Sequence, residues 1–361
     1  MLDVLHQFYG NPHSQTHIHG WNASKLIEDV SMDIREHFSG LKVIFTSGAT
    51  EANNLAFNLH PQNEKRDVII GPLEHSAVQE PAARLAKKLG GRLITAPCDN
   101  EGHINFKSIT DEMLDNCALI SIAFASGEIG TVQTNLQSFQ EHAKSKGVLF
   151  HSDMSQGIQH PLAREFGTEC DAISISGHKI YGPQGVGALL ATETYLEAIE
   201  PMLLGGGQQE GYRAGTIPTF LCAGLGEALA ETFEWVDSGG NLELLERTHY
   251  FFTLLKKAIG EKYADSIELI GSKIFSDRTP GNLTIALPKK LDASDLLLAS
   301  ASVFSASQGS ACHSGQESAS SSLKALGLSD HEARRVLRFG LGRETTEDDI
   351  IAVVEAIGEK I

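Results

Sequence analysis

The sequence predicts an α/β protein with a large, mostly parallel β-sheet, followed by a smaller α+β domain. Short apolar segments alternate with helical patterns of about 10–15 residues through the first part of the chain, which is typical of a parallel sheet covered on both faces. The chain has 361 residues, more than one simple core usually holds. A Ser-Gly-Gly segment at 238–240 precedes a different order of elements. We therefore expect a large domain at 9–236 and a small domain at 237–361, with residues 1–8 packing against the small domain.

Each predicted element follows from apolar periodicity and from the Gly, Pro, Asn or Asp residues at its ends. In the large domain we expect helices at 23–38, 79–89 and 221–236, and strands at 43–46, 68–71, 92–96, 118–124, 148–153, 171–176 and 187–191. In the small domain we expect helices at 242–259 and 294–299, strands at 267–271, 282–287, 303–305 and 336–342, and a small-residue loop at 307–316. A Thr-x-x-Asp cap at Thr345–Asp348 predicts the start of a final helix.

Composition and charge exclude several classes of protein. The formal net charge is −17, which argues against a nucleic-acid-binding surface. No run of 18 apolar residues is present, so we expect no membrane span, and the N-terminus lacks the basic and apolar regions of a secretory signal. The five cysteines are scattered and odd in number (98, 117, 170, 222 and 312), which favours reduced thiols in the cytoplasm over a disulfide framework or a zinc site.

One lysine lies just past the end of a predicted strand. The alternating apolar segment Asp171–Ser176 runs through Gly177 and His178 to Lys179, and further glycines keep the following backbone tight. We expect this position to be enclosed. Burying a lysine as a cation is unfavourable, so its pKa would fall, and the amine would then hold an aldehyde as a Schiff base. A solvated loop lysine is the plain alternative.

Other polar residues also fall just after predicted strand ends. Because the carboxyl ends of parallel strands meet at one edge of a sheet, and ligands bind there, we expect these side chains to share a site. They are Thr50, His75, Glu128, Asp153, Gln156 and Lys179.

This set of residues favours pyridoxal 5'-phosphate (PLP) over an aldolase-type Schiff base. PLP requires a phosphate cradle, an acid at its pyridinium nitrogen and a group stacked on its ring. The small-residue turn at 47–50, between a strand and a helix, would present free backbone N–H groups to a phosphate. Asp153 supplies an acid, His75 a flat ring and Gln156 a hydrogen bond to the phenolate oxygen. The histidines at 13, 17 and 19 have no acidic or cysteine ligand at zinc spacing nearby, so we expect no metal.

Motifs spread along the chain carry a resemblance to a known family. They are Gly10-Asn11-Pro12 with His17 and Gly20; 46–54; Glu74-His75; 128–133; His151, Asp153 and Gln156; 176–179; 213–216; 309–312; and Arg338-Phe339 with 341–343. In this order they are similar to the motifs of the NifS/IscS-type cysteine desulfurases, in class V of the PLP-dependent aminotransferases. The resemblance covers essentially the whole chain from residue 10.

The resemblance implies a fold, a reaction and a set of roles. The fold would be the aspartate-aminotransferase type (fold type I). The reaction would convert L-cysteine to L-alanine and leave a persulfide on Cys312, in a mobile exposed loop, for transfer to an acceptor protein such as an iron–sulfur scaffold or a sulfur carrier. Lys179 and His75 would complete the catalytic set, Arg338 would bind the substrate carboxylate, and Thr216 would reach the cofactor phosphate of the other subunit of a homodimer. The cofactor-binding residues would be Ala49, Thr50, His75, Asp153, Gln156, Ser176, His178, Lys179 and Thr216.

The chain also departs from the family pattern. It begins nine residues before Gly10, without the strand and Ala-Thr-Thr-Pro loop found there in the family. Ser126-Gly127 stands for the family's Asn-Asn, so Gly127 removes one hydrogen bond from the site. Two alternatives therefore stay open: a PLP-dependent selenocysteine or C–S lyase, and a catalytically weakened paralogue that serves as a partner-binding subunit. Retention of both Lys179 and Cys312 favours the desulfurase, because a scaffold needs neither.

Overall fold

The chain folds into two compact units in a computed structural model, which describes residues 1–61, 64–263, 266–313 and 316–361; the side chains of 310–313 and 316–317 are outside this description. The first unit comprises Met1–Ala96, Phe106–Phe124 and Asn135–Trp235, and the second comprises Pro97–Asn105, Ala125–Thr134 and Val236–Ile361. The sequence did not predict that 97–105 and 125–134 belong to the second unit. The division into two functional domains at 9–236 and 237–361 stays a prediction.

The first unit is built on a seven-stranded sheet. Its strands are β1 Lys42–Thr46, β2 Asp67–Ile70, β3 Leu93–Thr95, β4 Cys117–Ser121, β5 Leu149–Asp153, β6 Ala172–Ser176 and β7 Gly187–Ala191. They lie in the order β1-β7-β6-β5-β4-β2-β3. β7 is antiparallel to both of its neighbours, whereas the pairs from β6 to β3 are parallel. The mostly parallel sheet predicted from the sequence is confirmed.

The helices of the first unit are α1 Leu2–Gln7, α2 Ile18–His37, α3 Ala49–Ala56, α4 Ser76–Leu89, α5 Asp111–Asp115, α6 Gln137–Ser145, α7 Ala163–Glu169, α8 Glu193–Ala198 and α9 Thr219–Asp237. All residues of β2, β6 and β7 are buried, as expected for strands covered on both faces. α2 begins at Ile18, before the predicted residue 23, because the His17 ring caps the helix by accepting from the Gly20 N–H.

Residues 1–8 group with the first unit, not with the second as the sequence analysis expected. The reason is a close packing contact. The Met1 side chain lies so near Gly224 of α9 that a Cβ atom added there would be 2.7 Å from the Met1 sulfur. Glycine at 224 therefore leaves the space into which Met1 packs.

The second unit is an α+β arrangement around an antiparallel sheet. Its strands are β8 Glu268–Leu269, β9 Asn282–Ala286, β10 Ser307–Gln308, β11 Ser310–His313, β12 Gln316–Ala319 and β13 Val336–Gly340, and its helices are α10 Gly240–Gly260, α11 Ala293–Ser300, α12 Ser321–Ala325, α13 Asp330–Ala333 and α14 Glu347–Lys360. The sheet order is β10-β13-β9-β8, with β11 and β12 as a separate pair. Apolar residues of α10, α11, α14, β9 and β13 share one core.

Three predictions for the second unit were wrong in detail. Residues 303–305 form no strand; the chain pairs with β13 only from Ser307 onward. The expected loop at 307–316 instead contains strands, because glycine at 309 lets the backbone pass close to β13: a Cβ atom there would be 2.7 Å from the Val336 side chain. The cap of α14 is Thr346 with Asp349, one residue later than predicted, because the Thr345 hydroxyl accepts from the Gly342 N–H.

No helix among the described residues is long and apolar enough to cross a membrane.

Candidate active site

Lys179 lies immediately beyond the carboxyl end of β6. The strand ends at Ser176 and passes into a single helical turn, Gly177–Lys179. The Lys179 side chain is exposed, so the enclosure expected from the sequence is not found. Two residues later Tyr181 adopts a left-handed backbone conformation (φ 65°). Such conformations cost free energy in residues other than glycine and often occur at functional sites.

A tight turn joins β1 to α3 beside this lysine strand. Gly187, at the start of β7, approaches Gly48 so closely that a Cβ atom on Gly187 would be 2.8 Å from the Gly48 backbone. The N-cap position Gly48 offers no side-chain hydrogen bond, and the first helical residues, Ala49 and Thr50, follow it. Their backbone N–H groups lie at the positive end of α3, where an anion is stabilised.

Ser176 and His178 stand next to each other at the end of the lysine strand. The Ser176 hydroxyl and the Nδ1 atom of His178 are 3.0 Å apart. The Ser176 side chain is buried and the His178 side chain is exposed. The pair therefore offers a hydroxyl and an imidazole to a ligand at this strand end.

An ion pair that the sequence analysis did not assign fixes the glycine-rich segment 205–216 to the edge of the sheet. Arg213 Nε donates to Glu51 Oε1 at 2.7 Å, and Glu51 also accepts from the Ser47 N–H. Burial alone would raise the pKa of Glu51, but the hydrogen bonds from Arg213 and Ser47 outweigh it and lower that pKa. Gln209 bonds both backbone groups of Phe45 in the edge strand β1. Thr216, beyond these anchors, is exposed.

Asp153 ends β5 with both carboxylate oxygens engaged. Oδ2 accepts from Asn53 Nδ2 at 2.7 Å, and Oδ1 accepts from the Ser155 N–H at 2.9 Å. Sequence reasoning missed Asn53. The available signal was its position in the 46–54 motif, one helical turn after Ala49. The other amide atom of Asn53, Oδ1, is buried without a hydrogen-bond partner. Gln156 follows in the next turn and is half-buried.

His151 lies two residues before Asp153 on the same strand. Its ring nitrogens hydrogen-bond to Ser121 (2.9 Å) and Ser174 (3.0 Å) on the neighbouring strands. Burial lowers the pKa of His151 to about 4, although the Asp153 charge opposes this change. The imidazole is therefore neutral at physiological pH and ties three strands together below the site.

His75 and Glu74 follow β2 at the same edge of the sheet. His75 is the N-cap of α4, and its Nδ1 accepts from the Ala77 N–H at 3.1 Å. The proton of a neutral His75 ring therefore resides on Nε2, on an exposed side chain. Glu74 is buried, and its Oε1 accepts from the Ala123 N–H at 2.6 Å. Burial raises its pKa to about 8. Sequence reasoning assigned no role to Glu74.

In the second unit, Arg338 of β13 is held by its neighbours. Its Nη1 donates to the Gly127 carbonyl at 3.0 Å and its Nη2 donates to Ser307 Oγ at 3.2 Å. Asn282 Nδ2 donates to the same Gly127 carbonyl at 3.2 Å. The guanidinium is half-buried, and these contacts fix its orientation.

Cys312 lies in β11 with Glu317 of β12 as its backbone partner. Its side chain is outside the described residues. The expectation of a loop at this residue is wrong for the backbone, which forms a two-stranded antiparallel pair.

The residues of the first unit fit PLP. The N-terminus of α3, with Ser176 and His178, suits a phosphate, and a small cavity beside the turn is lined by Thr46, Ser47 and Arg213 among others. Asp153 is a carboxylate with a fixed direction, and the exposed Lys179 and His75 are open to a ligand. Among the described residues no group of three or more His, Cys, Asp or Glu side chains could hold a metal ion.

Comparison with known proteins gives a consistent result. A family model described as aminotransferase class-V matches residues 1–353. Cysteine desulfurase IscS of Rickettsia bellii is 33% identical over 366 aligned residues, covering 100% of this chain and 86% of that protein. The structure of a NifS-like protein from Rickettsia africae has a TM-score of 0.83 at 25% identity, covering 99% of this chain and 93% of that chain. The structure of DndA from Streptomyces lividans has a TM-score of 0.75 at 27% identity and covers 94% of each chain.

Proposed function

The chain belongs to the aminotransferase class-V family, and we propose that it acts as a PLP-dependent cysteine desulfurase. It converts L-cysteine to L-alanine and transfers the sulfur atom to an acceptor. The observation that carries this proposal is the shared placement of three groups. Lys179 and His75 follow β6 and β2, and Asp153 ends β5, in one parallel array, so all three lie at the same edge of the sheet. The whole-chain similarity to a cysteine desulfurase does not favour a lyase or a non-catalytic subunit.

Each residue of the first unit has a defined task in this proposal. PLP, when bound, supplies an electron sink for negative charge at the substrate α-carbon. Lys179 Nζ would hold the cofactor covalently. Asp153, whose carboxylate Asn53 and Ser155 keep pointed in one direction, would accept from the pyridinium nitrogen. His75 would stack on the ring. Ala49, Thr50, Ser176 and His178 would hold the phosphate, and Gln156 would bond the phenolate oxygen.

The second unit supplies substrate binding and sulfur removal. Arg338 binds the cysteine carboxylate, for which the planar guanidinium is suited. The Cys312 thiolate attacks the substrate sulfur, so that a sulfur–sulfur bond forms as the substrate carbon–sulfur bond breaks. In total, L-cysteine and the Cys312 thiol give L-alanine and the Cys312 persulfide, and the atoms balance.

Assembly, partner and location are also part of the proposal. Thr216 is exposed at the end of the anchored segment 205–216, a placement that suits contact with the phosphate of a second subunit in a homodimer. The persulfide passes to an acceptor protein, an iron–sulfur scaffold or a sulfur carrier. A cytoplasmic location is supported by the thiols of Cys98, Cys117, Cys170 and Cys222, which are all free.

The test is turnover of L-cysteine by the PLP-loaded protein. Alanine is quantified together with sulfide in the presence of a thiol acceptor, for the wild type and for Lys179→Ala. We expect equal amounts of alanine and sulfide from the wild type and none above background from the variant. Pyruvate and ammonia in place of alanine would instead identify a C–S lyase. A wild type that binds PLP yet leaves cysteine unchanged would support the non-catalytic paralogue.

A further inference from the structure

A short turn in the second unit holds the substrate-binding arginine. The turn 126–130 is closed by a hydrogen bond from the Gly130 N–H to the Ser126 carbonyl at 2.9 Å. Its Gly127 carbonyl accepts from Arg338 and Asn282, and its Glu128 carbonyl accepts from Thr284 Oγ1 at 2.7 Å. The backbone of the turn is therefore fixed to β9 and β13, the two central strands of the sheet.

The side chain of the same turn contacts the base of the strand pair that carries Cys312. Glu128 Oε1 accepts a hydrogen bond from the hydroxyl of Ser320. Ser320 directly follows β12 and also caps α12 by accepting from the Leu323 N–H at 3.2 Å. On the other side of the pair, Gly309 is packed tightly against Val336 and Leu323. Both strands are thus fixed at the base of the pair, β11 by the packing of Gly309 and β12 by Glu128.

We propose that Glu128 is a positioning residue for sulfur removal. Through Ser320 it fixes the base of the β11–β12 pair, and through its own backbone and that of Gly127 it joins this pair to Arg338. The base of the strand pair that carries Cys312 and the group proposed to bind the substrate carboxylate then belong to one hydrogen-bonded frame. The inference rests on the proposed role of Cys312.

The physical reason is the geometric demand of the attack step. Two reacting atoms must be held near contact distance and in line, and a small misplacement by a distant substitution is enough to slow such a step strongly. A hydroxyl-to-carboxylate hydrogen bond is shorter and stronger than a neutral one, so Glu128 anchors Ser320 better than an uncharged acceptor does. The Glu128 carboxylate is already hydrogen-bonded to Ser320. This contact suits a role as an anchor better than a role in proton transfer to or from the substrate.

The experiment compares Glu128→Ala, Glu128→Gln, Ser320→Ala and the double alanine variant with the wild type. Glu355→Ala is the matched control, since Glu355 is an exposed carboxylate on α14 of the same unit. The measurements on the PLP-loaded protein are single-turnover persulfide formation on Cys312, by mass spectrometry, and the spectral change on mixing with cysteine. Hydrogen exchange of the backbone amides at 316–319 is measured in the cofactor-free protein.

We expect Glu128→Ala to slow persulfide formation about tenfold or more, while the affinity for cysteine in the spectral titration stays within about twofold of the wild type. Glu128→Gln, which keeps a hydrogen-bond acceptor but not the charge, should be intermediate in rate, clearly faster than Glu128→Ala. The double variant should be no slower than the slower single variant, because both substitutions remove one contact. Amides at 316–319 should exchange faster in Glu128→Ala than in Glu355→Ala.

Three results would overturn the inference. One is a Glu128→Gln variant as slow as Glu128→Ala, which would assign the carboxylate a proton-transfer role. The second is additive losses in the double variant. The third is unchanged exchange at 316–319 in Glu128→Ala. Hydrogen exchange requires no turnover, so this last measurement tests the anchor independently of the reaction. A wild type that forms no persulfide on Cys312 would refute the proposed nucleophile instead.

Discussion

Replacing Glu74 by glutamine is expected to remove a pH dependence from the stability of the protein. Only 2% of Glu74 is exposed. One carboxyl oxygen accepts from the Ala123 N–H, and the other, Oε2, has no hydrogen-bond partner. Burial raises the pKa of Glu74 to about 8, against the lowering effect of the Ala123 N–H and with a further raising effect from the Asp153 charge. At neutral pH the folded protein therefore holds this carboxyl in its protonated form.

The sign and size of the effect follow from proton linkage. The ordinary pKa of 4.5 applies to the unfolded chain, so between about pH 4.5 and 8 the folded protein holds a proton that the unfolded chain has released. The stability contributed by the protonated carboxyl is complete below pH 4.5 and is lost as the pH rises through 8. Each tenfold difference in proton affinity is worth about 1.4 kcal/mol, so the loss is on the order of 4–5 kcal/mol.

Glutamine has nearly the shape of the protonated side chain and does not titrate. The free energy of unfolding of each protein is measured by urea titration. The value for Glu74→Gln minus the value for the wild type should increase by several kcal/mol between pH 5 and pH 8.5, because only the wild type loses stability as its carboxyl ionises. Any constant cost of the buried amide cancels in this comparison. Glu80→Gln is the matched control, because Glu80 lies on α4 and is exposed. If the difference between Glu74→Gln and the wild type were the same at both pH values, a buried protonated Glu74 would be excluded.

Three further predictions concern the cofactor, the thiols and assembly. Asn53→Ala should weaken PLP binding roughly 10- to 100-fold in a titration followed by absorbance, because Asp153 loses a hydrogen bond to its charged form; Asn54→Ala on the same helix should bind PLP as the wild type does. Cys312 should be alkylated at least about tenfold faster than the other four thiols, because burial raises the pKa of each of those four. Equally fast alkylation of any of the four in peptide mapping would contradict this prediction. Sedimentation should show a homodimer at micromolar concentration, and Thr216→Arg should weaken it; a wild-type monomer would refute the proposed contact between subunits.

The sheet, and the placement of polar residues at the carboxyl ends of its strands, could be predicted because both depend on short local sequence patterns. Buried strands such as β6 and β7 appear as short apolar runs with glycine at their ends, and a parallel array forces the residues that follow such strands to one edge. Lys179 and Asp153 could therefore be placed without knowledge of the fold. The family and the fold class are confirmed, whereas the roles of the individual residues stay predictions.

The parts that could not be predicted depend on contacts between distant segments. Nothing in the local sequence at 125–134 shows that Thr284 and Asn282 bind that segment into the second unit. The raised pKa of Glu74 results from full burial of its carboxyl, which depends on distant parts of the chain; its hydrogen-bond partner Ala123 is 49 residues away in sequence. At 310–313, small polar residues are as compatible with a loop as with a strand, and only the facing backbone at 316–319 decides between them.

Gly127 shows why a departure from a family pattern has to be weighed against the backbone as well as the side chain. The missing asparagine side chain was expected to remove one hydrogen bond from the site, a loss of roughly 1.5–3 kcal/mol for a bond to a charged group. The carbonyl of the same residue, however, accepts from Arg338 and from Asn282, and a carbonyl is present whichever side chain is attached. The substitution therefore removes a contact to the ligand while it leaves the support of the substrate-binding arginine intact. If Arg338 binds the substrate as proposed, we expect a slower reaction with cysteine binding retained, which is compatible with an active desulfurase.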